Sequence, residues 1–169
     1  MHELILGGAR SGKSGLAQQR AQATGRPVTL IATAQALDAE MAERIARHQA
    51  DRPSGWRTVE EPLALAAALQ AECAPGRCVI VDCLTLWLTN LLLDSEARLA
   101  AETALLLQTL PGLPGEIILV SNETGLGVIP MDALTRRFVD VAGRLHQDLA
   151  GLCDRVTLTV AGLPMMLKG

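Results

Sequence analysis

Aromatic side chains are scarce in this sequence, which has no tyrosine, one phenylalanine and two tryptophans among 169 residues. A protein that stacks nucleic-acid bases on aromatic rings needs more of them. Basic residues are not in excess either, since 15 Lys and Arg stand against 18 Asp and Glu and give a formal net charge of -3. We therefore expect no nucleic-acid partner.

Long apolar runs and metal-binding cysteine patterns are also missing. The most apolar segment, Val79 to Leu93, contains four polar residues and falls short of the roughly 20 apolar residues that span a bilayer, so it predicts a buried strand followed by a helix. The four cysteines show no C-x-x-C spacing and no Cys/His ligand pattern. We therefore expect all four to be small, buried hydrophobic side chains. No leader precedes the first apolar run, which predicts a cytoplasmic protein of one domain, residues 1–169.

Short apolar runs alternate with helical patterns along the chain. This alternation predicts an α/β fold, with a mostly parallel central sheet flanked by helices on both faces. The predicted strands are Glu3–Leu6, Val28–Ala32, Cys78–Val81, Ile117–Ser121 and Arg155–Val160. The predicted helices are Lys13–Ala23, Asp38–Gln49, Pro62–Glu72, Leu84–Leu93, Glu96–Leu110 and Met131–Leu152.

The most specific pattern is GGARSGKS, which fits G-x-x-x-x-G-K-[ST] between a predicted strand and a predicted helix. Such a P-loop binds phosphates because its glycines let successive N–H groups point at one anion, and the following helix adds the positive end of its dipole. Lys13 is expected to reach the β- and γ-phosphates, and the Ser14 hydroxyl to bind Mg²⁺. The predicted phosphate-binding residues are Gly7, Gly8, Ala9, Arg10, Ser11, Gly12, Lys13 and Ser14.

Two further candidates rest on less specific patterns. Asp82 ends an apolar strand, where P-loop enzymes place an acid beside their metal, although many strands end in Asp as a cap or turn former. His48 has Arg44 and Arg52 four residues to either side, and neighbouring cations favour the neutral, nucleophilic form of an imidazole. A solvated charged helix end explains the same stretch without any catalytic role.

Several longer motifs occur in an order that resembles one family. They are the P-loop, LIATA at 30–34, E-M-x-x-R-I-x-x-H-x-x-x-R-P-x-x-W-x-T-x-E at 40–60, DCLT at 82–85, NLL at 90–92, S-N-E-x-G-x-G-x-x-P at 121–130 and G-R-x-x-Q at 143–147. Nearly end to end, the sequence resembles the bifunctional adenosylcobinamide kinase / adenosylcobinamide-phosphate guanylyltransferase family of cobalamin biosynthesis.

The resemblance implies two reactions. The first phosphorylates the terminal hydroxyl of adenosylcobinamide with ATP or GTP. In the second, the family's histidine, matched by His48, attacks the α-phosphate of GTP and passes GMP to adenosylcobinamide phosphate, giving adenosylcobinamide-GDP. His48 and Lys13 are thus the predicted catalytic residues, Mg²⁺ the expected cofactor with Ser14 and Asp82 as ligands, and a homotrimer the implied assembly.

The resemblance also implies further residues near the nucleotide, namely Ala32, Thr33, Ala34, Arg52, Glu60 and Asp82. Glu60 could accept hydrogen bonds from a guanine edge or a ribose, or be an exposed acid with no ligand. Asn122 and Glu123 either line a ligand site at the end of a strand or form a turn.

Two structural expectations accompany these assignments. His146, where some relatives carry asparagine, is interpreted as a helix-surface variation without a role. The aliphatic segment Leu84 to Leu93 is a candidate subunit interface if it is exposed.

Two other functions remain open at this point. One is a monofunctional P-loop kinase for a small molecule, and the other is a noncatalytic nucleotide switch. Both predict that His48 is dispensable. Only guanylyl transfer predicts a covalent bond between the protein and a nucleotide.

Overall fold

The computed structural model describes residues 1–35, 43 and 55–169. Their strands are β1 (His2–Gly7), β2 (Val28–Ala32), β3 (Arg57–Glu60), β4 (Cys78–Asp82), β5 (Glu116–Asn122), β6 (Arg155–Val160) and β7 (Leu163–Lys168). They form one sheet in the order β3-β2-β4-β5-β1-β6-β7. The first six strands are parallel to one another, and β7 pairs antiparallel with β6.

The described helices are α1 (Lys13–Ala23), α2 (Leu65–Glu72), α3 (Leu84–Asp94), α4 (Glu96–Thr109) and α5 (Ala133–Leu152), with a 3₁₀ turn at Leu110–Gly112. Two of these helices begin directly after a residue whose side chain caps the helix N-terminus. The Ser95 hydroxyl accepts from Arg98 N at 3.2 Å at the start of α4, and the Asp132 carboxylate accepts from Thr135 N at 2.8 Å at the start of α5. None of the described helices has the length and apolar character needed to cross a bilayer.

The sheet separates two apolar clusters, because successive strand residues face opposite sides. Leu4 and Leu6 of β1 pack into the cluster formed with α2, α3, α4 and α5, whereas Ile5 packs into the cluster formed with α1. Helices therefore cover both faces of the sheet, as predicted.

The five predicted strands are confirmed with small shifts at their ends, and so are five of the six predicted helices. The sixth, Asp38–Gln49, lies outside the described residues apart from position 43. The predicted set lacked β3 and β7, which are the two edge strands and are mostly or wholly exposed. The β3 sequence, RTVE, does not show the continuous apolar run of a buried parallel strand. The β7 sequence, LPMMLK, does contain such a run, but it is exposed and pairs antiparallel with β6.

The segment Val79 to Leu93 forms a buried strand and a helix, as predicted. The segment Leu84 to Leu93 is a candidate subunit interface only if it is exposed, and it does not meet that condition, because Leu84, Trp87 and Leu91 are fully buried in the core of the same chain. Helix α3 lies between the sheet and two other helices, so it needs apolar residues on several faces.

All four cysteines are free thiols. Three of them are buried as expected, and Cys73 is half-buried. Burial raises the pKa of the Cys73 and Cys78 thiols to about 11 and that of Cys153 to about 12. They therefore remain protonated at neutral pH and are poor nucleophiles.

Candidate nucleotide-binding site

Several of the predicted site residues lie at one edge of the sheet, where the parallel strands end. Gly7 of β1 is in register with Asn122 of β5, and Asp82 of β4 is in register with Ala32 of β2. Glu60 of β3 pairs with the same Ala32 from the other side. Ligands of open parallel sheets bind at this edge, outside the carboxyl ends of the strands.

The P-loop runs from the end of β1 to the start of α1. Arg10 and Gly12 adopt left-handed backbone conformations, with φ of 56° and 95°, which turn the chain sharply into the helix. The first turn of α1 contains no acidic residue, so its N–H groups and positive dipole end are not neutralised there. A Cβ added to Gly8 would meet no atom within 4 Å, so the loop presents an open backbone.

The back of the loop packs against β6 and the turn that follows it. A Cβ on Gly7 would lie 2.4 Å from the Ser11 hydroxyl oxygen and 2.6 Å from the Thr159 carbonyl oxygen, so this position requires glycine. The N–H of Gly162 donates to the Ser11 carbonyl at 2.8 Å. These contacts fix the loop in place from behind while its front faces the edge of the sheet.

Lys13 is buried, and its ammonium group donates to the Gly8 carbonyl at 3.1 Å. The side chain therefore folds back over the loop that is expected to hold the phosphates. Ser14 follows it in the first turn of α1 and is half-buried.

Thr33 joins the ends of β2 and β4. Its hydroxyl donates to the Cys83 carbonyl at 2.7 Å and accepts from the Cys83 N–H at 3.0 Å. The Asn90 side chain donates to the Thr33 carbonyl at 2.8 Å. The single hydroxyl proton of Thr33 is used within the protein, so this residue holds the segment that begins at Asp82.

Burial and the neighbouring Asp82 carboxylate raise the pKa of the Cys83 thiol, while hydrogen bonds with Leu86 and Thr85 and, more weakly, the Lys13 ammonium lower it. Within residues 1–35, 43 and 55–169 no three His, Cys, Asp or Glu side chains could enclose a metal ion. Mg²⁺ does not need such a cage when it is bound by one or two protein oxygens together with phosphates and water.

His146 is buried, with 7% of its surface exposed, so its interpretation as a helix-surface variation is wrong. Helix α5 packs on the core through Ala142, Leu145 and Leu149, and His146 lies on the same face because these positions are three and four residues apart. That spacing is visible in the sequence and could have predicted that His146 is buried.

A chain of polar contacts runs through His146 at the end of β5. The His146 Nε2 atom lies 2.8 Å from the Ser121 hydroxyl, which lies 3.3 Å from the Thr85 hydroxyl. On the other side of the ring, Nδ1 lies 3.9 Å from a Glu123 carboxylate oxygen. The Glu123 N–H donates to the Gly7 carbonyl at 3.0 Å, so the chain ends beside the P-loop.

Three residues singled out in the sequence, Arg44, His48 and Arg52, lie outside the described residues. Glu60 is exposed at the end of β3. Its neighbour Glu61 accepts from the N–H groups of Leu63 and Ala64 at 2.9 and 2.8 Å and thereby supports the turn into α2.

Comparison with known proteins adds to this geometry. Residues 3–167 match the sequence profile of the CobU family, described as cobinamide kinase / cobinamide phosphate guanyltransferase. The chain belongs to this family. The bifunctional adenosylcobalamin biosynthesis protein CobP of Pseudomonas aeruginosa is 65% identical over 170 residues, covering 100% of this chain and 98% of the relative. The CobU proteins of Escherichia coli (strain K12) and Salmonella typhimurium are 38% and 37% identical, each over 98% of both chains.

Two solved structures share the fold at low sequence identity. The RadB recombinase aligns with a TM-score of 0.52 and 16% identity, covering 93% of this chain and 73% of its own. A protein of Pyrococcus horikoshii OT3 aligns with a TM-score of 0.53 and 9% identity, covering 99% and 86%. The predicted α/β fold of the P-loop NTPase type is confirmed.

Proposed function

We propose that this chain phosphorylates adenosylcobinamide with ATP or GTP and then transfers GMP from GTP to adenosylcobinamide phosphate. The observation that carries the proposal is the P-loop at the carboxyl ends of the parallel strands, with the Lys13 ammonium folded over it and Asp82 at the end of β4. The chain also belongs, over nearly its whole length, to a family described by these two activities.

The P-loop serves both reactions by gripping the phosphates of the donor nucleotide. Residues 7–14 bind the phosphates, with Lys13 on the β- and γ-phosphates, and the ends of β2 and β4 border the same space through Ala32, Ala34 and Asp82. Thr33 acts indirectly, by holding the chain beside Asp82. Arg52 and Glu60 are proposed to lie near the bound guanine nucleotide.

The Ser14 hydroxyl and the Asp82 carboxylate are proposed to hold Mg²⁺ together with phosphate oxygens. Both are hard oxygen donors of the kind that Mg²⁺ prefers. The ion would neutralise charge that develops on the phosphates during transfer. The chain is proposed to work in the cytoplasm as a single domain, in a homotrimer.

His48 is proposed as the nucleophile of the second reaction. Its ring nitrogen attacks the α-phosphorus of GTP, the bond to the α–β bridging oxygen breaks, and pyrophosphate leaves. An oxygen of adenosylcobinamide phosphate then attacks the same phosphorus and the P–N bond breaks, which releases adenosylcobinamide-GDP and frees the imidazole.

Incubation with GTP labelled at the α-phosphate, in the presence of Mg²⁺, tests this proposal. We expect the denatured wild type to retain an acid-labile, alkali-stable label that is absent from His48→Ala. Gln49→Ala is the matched control in the same segment and should be labelled normally. An unlabelled wild type would contradict guanylyl transfer and favour a monofunctional kinase if a γ-phosphate is still transferred, or a nucleotide switch if none is.

A further inference from the structure

The polar chain at the end of β5 has no part in the reactions as proposed so far. Its hydrogen bonds, together with the facing Glu123 carboxylate, indicate which ring nitrogen of His146 carries the proton. The Asn122 N–H donates to the Thr85 hydroxyl at 2.7 Å, and the Ser121 hydroxyl lies between Thr85 and His146 Nε2. Donation from Ser121 to Nε2 places an N–H on Nδ1, facing the Glu123 carboxylate, whereas the opposite direction would place the Nδ1 lone pair against that carboxylate.

This assignment requires a neutral imidazole that carries its proton on Nδ1. Burial lowers the pKa of His146, which favours the neutral form, although the Glu123 carboxylate acts in the opposite direction. The Nδ1–H then faces Glu123, whose nearer oxygen is 3.9 Å away. Such contacts are often long without substrate and shorten when the complex forms.

Glu123 is held on its other side as well. Its second carboxylate oxygen accepts from the Gly125 N–H at 2.5 Å, and its own N–H donates to the Gly7 carbonyl of the P-loop at 3.0 Å. The side chain keeps 21% of its surface exposed. The result is an oriented carboxylate beside the P-loop that a substrate can still reach.

We propose that Glu123 is the proton acceptor of the kinase step and that His146, through its contact with Glu123, is its positioning residue. This inference rests on the proposed function. The proton of the adenosylcobinamide hydroxyl passes to the Glu123 carboxylate while the hydroxyl oxygen attacks the γ-phosphorus. The bond from that phosphorus to the β–γ bridging oxygen breaks, and the nucleoside diphosphate leaves.

Other described carboxylates at this edge are less suited to the role. Asp82 is proposed to bind Mg²⁺, and Glu61 already accepts two backbone N–H groups. Glu60 ends β3, which is four positions from β1 in the sheet, whereas Glu123 follows β5, the direct neighbour of β1. Glu123 is therefore the nearest of these to the γ-phosphate position by strand order.

The two reactions differ in their need for a base, which makes the proposal testable. The acceptor of the kinase step is an alcohol that must lose a proton. The acceptor of the guanylyl step is a phosphate monoester, which is already ionised at neutral pH. A base beside the P-loop should therefore matter for the first reaction only.

The test measures Glu123→Gln in two separate assays, phosphorylation of adenosylcobinamide and GMP transfer to supplied adenosylcobinamide phosphate. General base catalysis contributes about 10²- to 10⁴-fold, so we expect phosphorylation to fall at least about 100-fold. GMP transfer should change less than about 3-fold, well below that range. Glu116→Gln is the matched control, since Glu116 starts the same strand at the opposite edge and is similarly exposed, at 18%.

Variants of His146 test the positioning role. His146→Phe should lower kcat of the kinase step with little change in KM for the nucleotide. His146→Gln, whose side-chain amide can accept from Ser121 and donate toward Glu123, should recover much of that loss. A merely structural role predicts instead that thermal stability falls and that both reactions decline together.

A loss of kinase activity in Glu123→Gln smaller than about 100-fold, the lower bound for general base catalysis, would overturn the proposal. So would equal losses in the two assays, or a His146→Phe effect confined to KM. If the wild type itself forms no adenosylcobinamide phosphate while GTP still labels it, the kinase half of the proposed function fails instead. The two failures are therefore distinguishable.

Discussion

The sheet has one edge where its parallel strands begin and another where they end, and the two contrast in how they use polar groups. At the edge where the strands begin, polar groups pair within the protein, as Asp154 does with the His2 N–H at 2.7 Å and Glu116 with Arg26 at 3.2 Å. At the edge where they end, the P-loop backbone is open and Glu123 is oriented yet still accessible. The first edge stabilises the fold, and the second keeps polar groups for a ligand.

The largest difference between the two edges should come from replacing one lysine at each of them, Lys13 beside the P-loop and Lys168 at the other edge. Lys13→Ala removes the cation that grips the phosphates, so we expect both reactions to fall at least about 100- to 1,000-fold, as when one preorganised donor to a transition state is lost. Separate assays of phosphorylation and of GMP transfer provide the measurement.

Lys168→Ala is the matched control for that change. Its ammonium donates to the carbonyls of Ala150, Gly151 and Cys153 at the end of α5, far along the chain from the P-loop. This variant should lose thermal stability and retain activity. Normal guanylylation by Lys13→Ala would mean that a second nucleotide site exists.

Asp82→Asn should have the next largest effect, because a proposed Mg²⁺ ligand loses its charge. Loss of an outer-shell partner of a metal typically costs about 10- to 100-fold in affinity or activity. We expect the loss of a direct ligand to lower turnover at limiting Mg²⁺ by at least that much. The Mg²⁺ concentration needed for half-maximal activity should rise. A wild-type Mg²⁺ titration in this variant would contradict the metal assignment.

Two glycines of the P-loop should respond differently to the same added methyl group. Gly7→Ala forces a Cβ against the Ser11 hydroxyl and the Thr159 carbonyl, so we expect a loss of about 1–3 kcal/mol in the free energy of unfolding. Gly8→Ala places its Cβ in open space and should leave stability nearly unchanged. Denaturant unfolding compares them, and equal losses would argue against this packing.

His2 and His146, both buried, should give the smallest effect, seen in the pH dependence of the free energy of unfolding. Burial is the largest influence on both His2 and His146 and lowers the pKa of each. The unfolded chain then binds more protons, so stability is fully present above about pH 6.5 and decreases as pH falls below that ordinary value. His2→Gln and His146→Gln should each flatten this decline. An unchanged slope in both would contradict the assignment.

The central strands and the P-loop were predictable because local sequence determines them. A strand such as β4 is buried on both faces and reads as a continuous apolar run, and the loop needs glycines at fixed positions. Strand β3 is mostly polar and depends on pairing with β2, which apolar periodicity does not reveal. Strand β7 is an apolar run that begins two residues after β6, so it could have been predicted as the second strand of a hairpin.

The polar chain at the end of β5 was only partly predictable. Asn122 and Glu123 stood out by their place after an apolar strand. The contact of His146 with Ser121 joins residues 25 positions apart, so it depends on how α5 packs against the sheet. Thr33 was predicted near the nucleotide, but its hydrogen bonds to Cys83 became visible only once β2 and β4 were placed side by side.

Mass spectrometry of the products formed from adenosylcobinamide, GTP and Mg²⁺ tests the central claim most directly, because it follows both reactions at the P-loop edge in one sample. The wild type should convert the corrinoid first to its phosphate and then to adenosylcobinamide-GDP, while Lys13→Ala forms neither. Accumulation of the phosphate alone by the wild type, or formation of the GDP product by Lys13→Ala, would contradict the account.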